Sequence, residues 1–460
     1  MKRKSVLPFF LCILICLGLC GTLQRTAIFP NWSKTYSVKQ EGIPSTLSPE
    51  YLLFAMAGFR ELIAGILWVR ADSFFETGNY DAVLPLIRLV TWLDPKQIDV
   101  YTIGMWHIGY NFTDEQHRSD RRYLPSAIAL GKEGCRRNSE TYELFFETGW
   151  VWFHKIVDDF PQAVKYWEEA GKRDDIDFTP ARRNLLANAY QRNGQIQESA
   201  DLYKTLLTAA EKRFKDQPEV FTNFQNRDTI EQNLDTLLVR MTQRGWFAKQ
   251  GGHFEQGAYD SRPPWDVKFG ARVTVERPKV LRIQGNWNVL PVGTRIRVIL
   301  RDKDYPHAVP GGMDWDWKTD VSLDPPTDET FMQDDLFVRN RRFNRQIDMS
   351  RDVGMYPFKG ENYVLEFFYS PRSAAHHIQD KFSWNGEGMT DANHLNTEIR
   401  PGQRVIFAQL ELTRDQLLRL GDWSTEGGKT PVLELKGFVP SATNTADQDL
   451  VRIPNLRAEP

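Results

Sequence analysis

The feature that most constrains this chain is a spacing. From Gly78 to Pro95 the sequence reads GNYDAVLPLIRLVTWLDP, a helix-like run opened by glycine and closed by Asp-Pro. Comparable landmarks return further on. LLANAYQRNGQIQESADLYKTLL places Ala187, Tyr190, Gly194, Ala200 and Tyr203 in similar positions. FFETGWVWFHKIVDDFPQAVKYWEEAGK places Gly149, Trp152, Ala163, Trp167 and Ala170 there, with a slightly longer turn. Between these lie YTIGMWHIGYN, a polar insertion and YLPSAIALGKEGCRRN, which read as a degenerate copy. Small residues let helices approach closely, aromatics fill the gaps, and Gly or Asp-Pro ends each helix. A unit this small cannot bury its own apolar face, so it must stack on its neighbours.

These segments resemble the tetratricopeptide repeat family, whose unit is two antiparallel helices of about 34 residues in all. The resemblance covers roughly residues 64 to 213 as four units, the second being the weakest. It implies a concave face lined by the first helix of each unit. By register that face holds Trp68, Asp72 and Phe75, then Trp106 and Tyr110, then Phe146, Trp150 and Phe153, then Asn184, Asn188 and Arg192. One end is aromatic and the other polar. What the resemblance implies is a groove for a protein partner or an extended peptide. Aromatics near Arg make interface hot spots, and Asn can pair with a peptide backbone. Two other readings stay open: the aromatics are core, or the chain's own C-terminal half fills the groove.

A stacked array needs closing at its end. Asp228 with Glu231 reads as a capping-box-like start, and Ile230, Leu234, Leu237, Leu238 and Met241 then recur at helical spacing. At the other end, Ser48-Pro49-Glu50 looks like a helix start that leads into YLLFAMAGFRELIAGILWVRADSFF. Arg60, Glu61, Arg70 and Asp72 argue against a membrane span there, because charges at bilayer depth are costly.

The N-terminus reads differently. MKRK precedes the uncharged VLPFFLCILICLGLCGTL, a membrane-anchor or signal-segment pattern over residues 1–23, with a cleaved signal peptide as the alternative and Leu19 before Cys20 speaking against a lipoprotein. With basic residues inside, the expectation is a single-pass membrane protein whose bulk lies outside the cytoplasm. Residues 24–47 then read as a linker and the helical array as residues 48–250. Cys12, Cys16 and Cys20 lie in the apolar segment, which leaves Cys135 as the one thiol beyond it. That excludes an intramolecular disulfide framework and a Cys-based zinc site. A net charge of −2 without a basic stripe offers no nucleic-acid footprint.

Near Gly251 the helical period ends. ARVTVE, KVLRIQGNW, TRIRVILRD, NYVLEFFYS, RVIFAQLEL and VLELKGF follow, parted by turn signals such as Pro291-Val-Gly293 and Pro401-Gly402. They predict an antiparallel β-sandwich over residues 255–442, with a tail at 443–460. Two long insertions interrupt it. One carries Asp314, Trp315, Asp316, Trp317 and Asp320, and the other His376, His377, Trp384 and His394. Were they to meet, a His/Asp metal site or a Trp platform for sugar is conceivable; long loops packed by their own aromatics are the plainer reading. In the array, Asp114, Glu115, His117 and Asp120 with His107 match no zinc spacing and read as a solvated loop. No G-x-S-x-G elbow, P-loop or G-x-G-x-x-G follows a strand. No cofactor is implied. The expectation is a non-catalytic, membrane-anchored interaction protein; the alternative is a cell-surface carbohydrate-binding or processing protein using the long loops.

Overall fold

The computed structural model describes residues 59–112, 121–153, 159–173, 178–243, 265–289, 295–305, 308–309, 312–313, 328–338, 341–351 and 356–440, with Leu19, Thr22 and Thr26 singly. Among these, helices fill the N-terminal half and antiparallel sheets the C-terminal half.

The helices are α1 Arg60–Glu76, α2 Tyr80–Leu93, α3 Ile98–Trp106 with a π-helical turn at His107–Asn111, α4 Leu124–Arg137, α5 Tyr142–Trp152, α6 Phe160–Gly171, α7 Pro180–Asn193, α8 Ile196–Asp216 and α9 Phe221–Gln243. Each packs on the next along the chain, and α3 also touches α5. The opening motif forms as its residues dictate. Gly78 takes a left-handed φ of 74°, α2 spans the apolar run, and Asp94 ends it. Asp159 caps α6 by accepting from the Gln162 N–H, and Thr179 caps α7 through the Arg182 N–H, with proline in each first turn. Gly149 is needed for contact. A Cβ there would sit 2.5 Å from the Trp167 ring, whose Nε1 donates to the Phe146 carbonyl at 2.8 Å.

Ile230, Leu234, Leu237 and Met241 are buried under α8, as a closing helix requires. Its start differs from expectation. Helix α9 begins at Phe221, so Asp228 lies inside it and accepts from Gln232 Nε2 one turn on.

The C-terminal half holds β1 Trp265–Asp266, β2 Gly270–Arg277, β3 Val280–Asn286, β4 Arg295–Asp302, β5 Ala308–Val309, β6 Gly312–Met313, β7 Phe331–Phe337, β8 Arg342–Asp348, β9 Asn362–Tyr369, β10 Met389–Thr390, β11 Leu395–Asn396, β12 Val405–Thr413 and β13 Val432–Glu434, with short helices α10 His376–Phe382 and α11 Arg414–Leu418. One sheet has the order β11-β12-β9-β4-β7 and the other β13-β2-β3-β8. Their inner faces share one core of Val273, Ile283, Val298, Leu365 and Phe367. All six expected runs are strands. The runs FMQDDLF and RFNRQID are strands too, although their charges mask the alternation: Asp334 turns inward and is held by Arg345 Nε at 3.0 Å.

The expectation of a single-pass membrane protein with a transmembrane helix is corrected here. No helix among the described residues is long and apolar enough to cross a membrane. The segment 1–23 that prompted it lies outside the described residues, apart from Leu19 and Thr22.

The second face of the five-stranded sheet is also buried. Ile299, Tyr305 and Phe331 belong to the helical core, while Arg301, Gln333 and Glu366 are buried beside them. Arg301 donates to Glu366 at 2.7 Å. Helices, five-stranded sheet and four-stranded sheet thus form successive layers.

Candidate partner-binding face

The first helices of successive pairs, α1, α3, α5 and α7, carry the residues expected to line a groove. The structure divides them into three groups. Phe146 and Phe153 are buried against Trp167, one stacked and one tilted, at 5.6 and 5.1 Å between centroids. They belong to the core, as the register warned. Arg192 and Asn184 are spent within the chain. Arg192 Nη1 donates to the Arg372 and Ala374 carbonyls at 3.1 and 2.6 Å, and Asn184 Oδ1 accepts from Asn233 at 3.0 Å. Trp68, Phe75, Trp106, Trp150 and Asn188 are half-buried, and Asp72 and Tyr110 are exposed.

The aromatic members of this third group lie on α1, on α3 with its π turn, and on α5, while Asn188 lies on α7. Trp106 meets Tyr110 edge-on at 5.8 Å, and the Arg121 guanidinium stands 5.5 Å from the Tyr110 ring. Phe75 contacts the His107 ring at 3.8 Å, and Trp150 packs on Trp167 at 5.9 Å. Ile103 adds an exposed apolar side chain on α3. One carboxylate is embedded here: Glu147 accepts from Trp106 Nε1 at 2.8 Å. Burial holds Glu147 above the ordinary value of 4.5, and the Trp106 hydrogen bond and Arg182 draw it back. Burial lowers His107, against the opposing pull of Asp72. Arg182 closes the surface on α7, 4.8 Å from the Tyr142 ring and donating to its hydroxyl at 2.7 Å. Glu147 and Arg182 were not singled out in the sequence; the signal was their place one helical turn from Trp150 and Leu186.

The β half covers a different part of the array. The Arg121 N–H donates to the Gln333 carbonyl at 3.0 Å, Arg400 pairs with Asp159 at 3.1 Å, and Arg240 Nη2 donates to Gln379 at 3.1 Å. These contacts, with those of Arg192, follow the turns between paired helices. The chain's own C-terminal half therefore lies along one edge of the array, taking Arg192 and leaving the aromatic row half-exposed.

Two of the insertion residues can be placed. Trp384 is fully buried among Ala187, Ile196 and Tyr203, under the Arg240 guanidinium at 4.7 Å. It is a packing residue between the two halves. His394 is nine-tenths buried, with Nε2 at 2.7 Å from the Lys436 carbonyl. Asp314, Trp315, Asp316, Trp317 and Asp320 lie outside the described residues, as do Asp114, Glu115, His117 and Asp120. Cys135 is a buried free thiol, pushed up to about 12 by burial, which suits packing and not nucleophilic chemistry.

No family model, curated protein or solved structure matches the chain.

Proposed function

We propose that the chain is a non-catalytic interaction protein built from a tetratricopeptide-like array over residues 48–250 and a β-sandwich over residues 255–442. The array binds a protein segment across α1, α3 and α5, and the sandwich braces its edge. The observation that carries this reading is the half-exposed row of Trp106, Tyr110 and Trp150 around the embedded Glu147 carboxylate. Equally large aromatics nearby, Trp152 and Trp167, are fully buried, so the array had the means to bury more. Half-exposed Trp and Tyr side chains are what interface cores and hot spots are enriched in. The acidic residues Asp72, Glu143 and Glu147 suit a segment that carries apolar side chains and a basic group.

Crosslinked pulldown with mass spectrometry tests this, comparing the full chain with Trp106→Ala, Trp150→Ala of unchanged helical circular dichroism. One partner lost from the variant alone supports the reading. An identical partner list from both proteins overturns it.

A further inference from the structure

The four-stranded sheet turns its outer face to water, as antiparallel sheets ordinarily do, and a polar face alone signifies nothing. This face is not flat. A cavity of about 750 Å³ opens on it, within the size range of small-molecule sites. Its floor is one cross-strand row: Arg272 on β2 stands opposite Gln284 on β3, which stands opposite Asn344 on β8. Phe337 and the 438–440 segment wall it, and Arg342 and Arg345 line it as well.

The chemistry of this lining is selective. It presents guanidinium and carboxamide groups; Arg272 is already paired with Glu434 and Arg345 with Asp334 at 3.0 Å, so recognition of an anion falls to Arg342. The Gln284 carboxamide makes no hydrogen bond within the described protein, so it offers a donor and an acceptor together. Asn344 uses its Oδ1 to accept from Arg282 and keeps its N–H groups for a ligand. Phe337 ends an edge strand with its ring 57% exposed, although the core of the same half lies within reach of its neighbours Leu336 and Val338. Arg342 is braced by donating to the Val439 carbonyl at 3.1 Å, which sets its guanidinium at the cavity wall.

We propose that this cavity binds an acidic saccharide. The sugar ring lies against Phe337, its hydroxyls pair with Gln284 and Asn344, and its carboxylate meets the Arg342 guanidinium, whose planar fork favours planar anions. Carboxamides match hydroxyls because both donate and accept. An acidic peptide would instead call for main-chain partners along a strand edge, and the floor here is made of side chains. This site is separate from the aromatic face of the array, so the two readings stand or fall independently.

Isothermal titration of the full chain tests it, with trigalacturonate, a neutral galactose trisaccharide, sodium sulfate and hexaglutamate as probes. Trigalacturonate is expected to bind at least about tenfold tighter than each of the other three. Phe337→Ala and Gln284→Ala, both at positions without structural duty, are each expected to weaken it by about tenfold. Arg342→Gln should bring it down to the neutral sugar, and Trp106→Ala, Trp150→Ala should leave it unchanged. Absence of binding overturns the proposal. So does sulfate or the neutral sugar matching trigalacturonate, or affinity that survives both Phe337→Ala and Gln284→Ala. Tighter binding of hexaglutamate also overturns it and assigns the cavity to acidic peptides.

Discussion

Gly149 and Glu147 sit two residues apart on α5, and they show what single positions decide here. Gly149 lets α6 close on α5, because any Cβ would enter the Trp167 ring. Gly149→Ala is therefore expected to cost about 1–3 kcal/mol by overpacking, read as a lowered urea midpoint with an unchanged slope. Glu147 controls charge on the exposed row. Its folded value is raised above 4.5 by burial. A raised carboxyl contributes stability that is fully present below the unfolded value and lost as pH rises through the folded one. The full chain should thus lose a small increment of stability as pH climbs from 4.5 through the raised value, and Glu147→Gln should lack that step. The Trp106 indole N–H resonance should titrate over the same window, since that N–H donates to the carboxylate. A midpoint below 4.5 would contradict the geometry. Gly149 and Trp167 were legible in the sequence because close helix packing demands small and aromatic residues at fixed offsets. Glu147 was not, because a glutamate on a helix has no periodic signature for burial.

Between elements, the decisive contact is the clasp of residues 371–385 on α7, α8 and α9. Arg372 donates to Asn193 and Asn385 at 3.1 and 2.9 Å, next to the left-handed Gly194. Trp384 completes the buried cluster of the last helices. Trp384→Ala should therefore destabilise the helical end by about 3–5 kcal/mol, although the residue belongs to the β half. Hydrogen exchange would check it: protection should fall most in α8 and α9, and less in β2, β3 and β9. Loss confined to the β strands would sink the clasp. Strands and helices were individually legible, since each rests on alternation or helical spacing within its own stretch. The clasp was not, because its partners lie about 180 residues apart in the chain and the 371–385 segment reads locally as a polar loop. The same distance explains why Arg192 looked available to a partner. The sequence carries its place on the helix but not what the β half brings to it.

At the scale of the whole molecule, the layer order makes a claim about cooperativity. The five-stranded sheet is buried on both faces. Val298, Leu365 and Phe367 look into the β core, and Ile299 and Phe331 join the helical core. The helix-facing side also holds the buried pair Arg301–Glu366, with Gln409 donating to the same carboxylate oxygen at 3.0 Å. Removing the helices would expose apolar side chains and would also rehydrate that pair, so neither half reaches its native environment alone. Domain interfaces that are large and partly apolar unfold together, whereas small polar ones let each domain melt separately. Loss of the far-ultraviolet helix signal and of the near-ultraviolet aromatic signal should thus coincide in one thermal transition. Arg400→Ala gives the sharper test. It leaves Asp159 buried without its 3.1 Å partner at the joint between the halves, and breaking such a pair costs about 3–5 kcal/mol. The variant is expected to melt earlier by both signals equally. If the two signals part in the full chain, the sheet's helix-facing side is a loose contact and not a shared layer, and the β half then stands as an independent body.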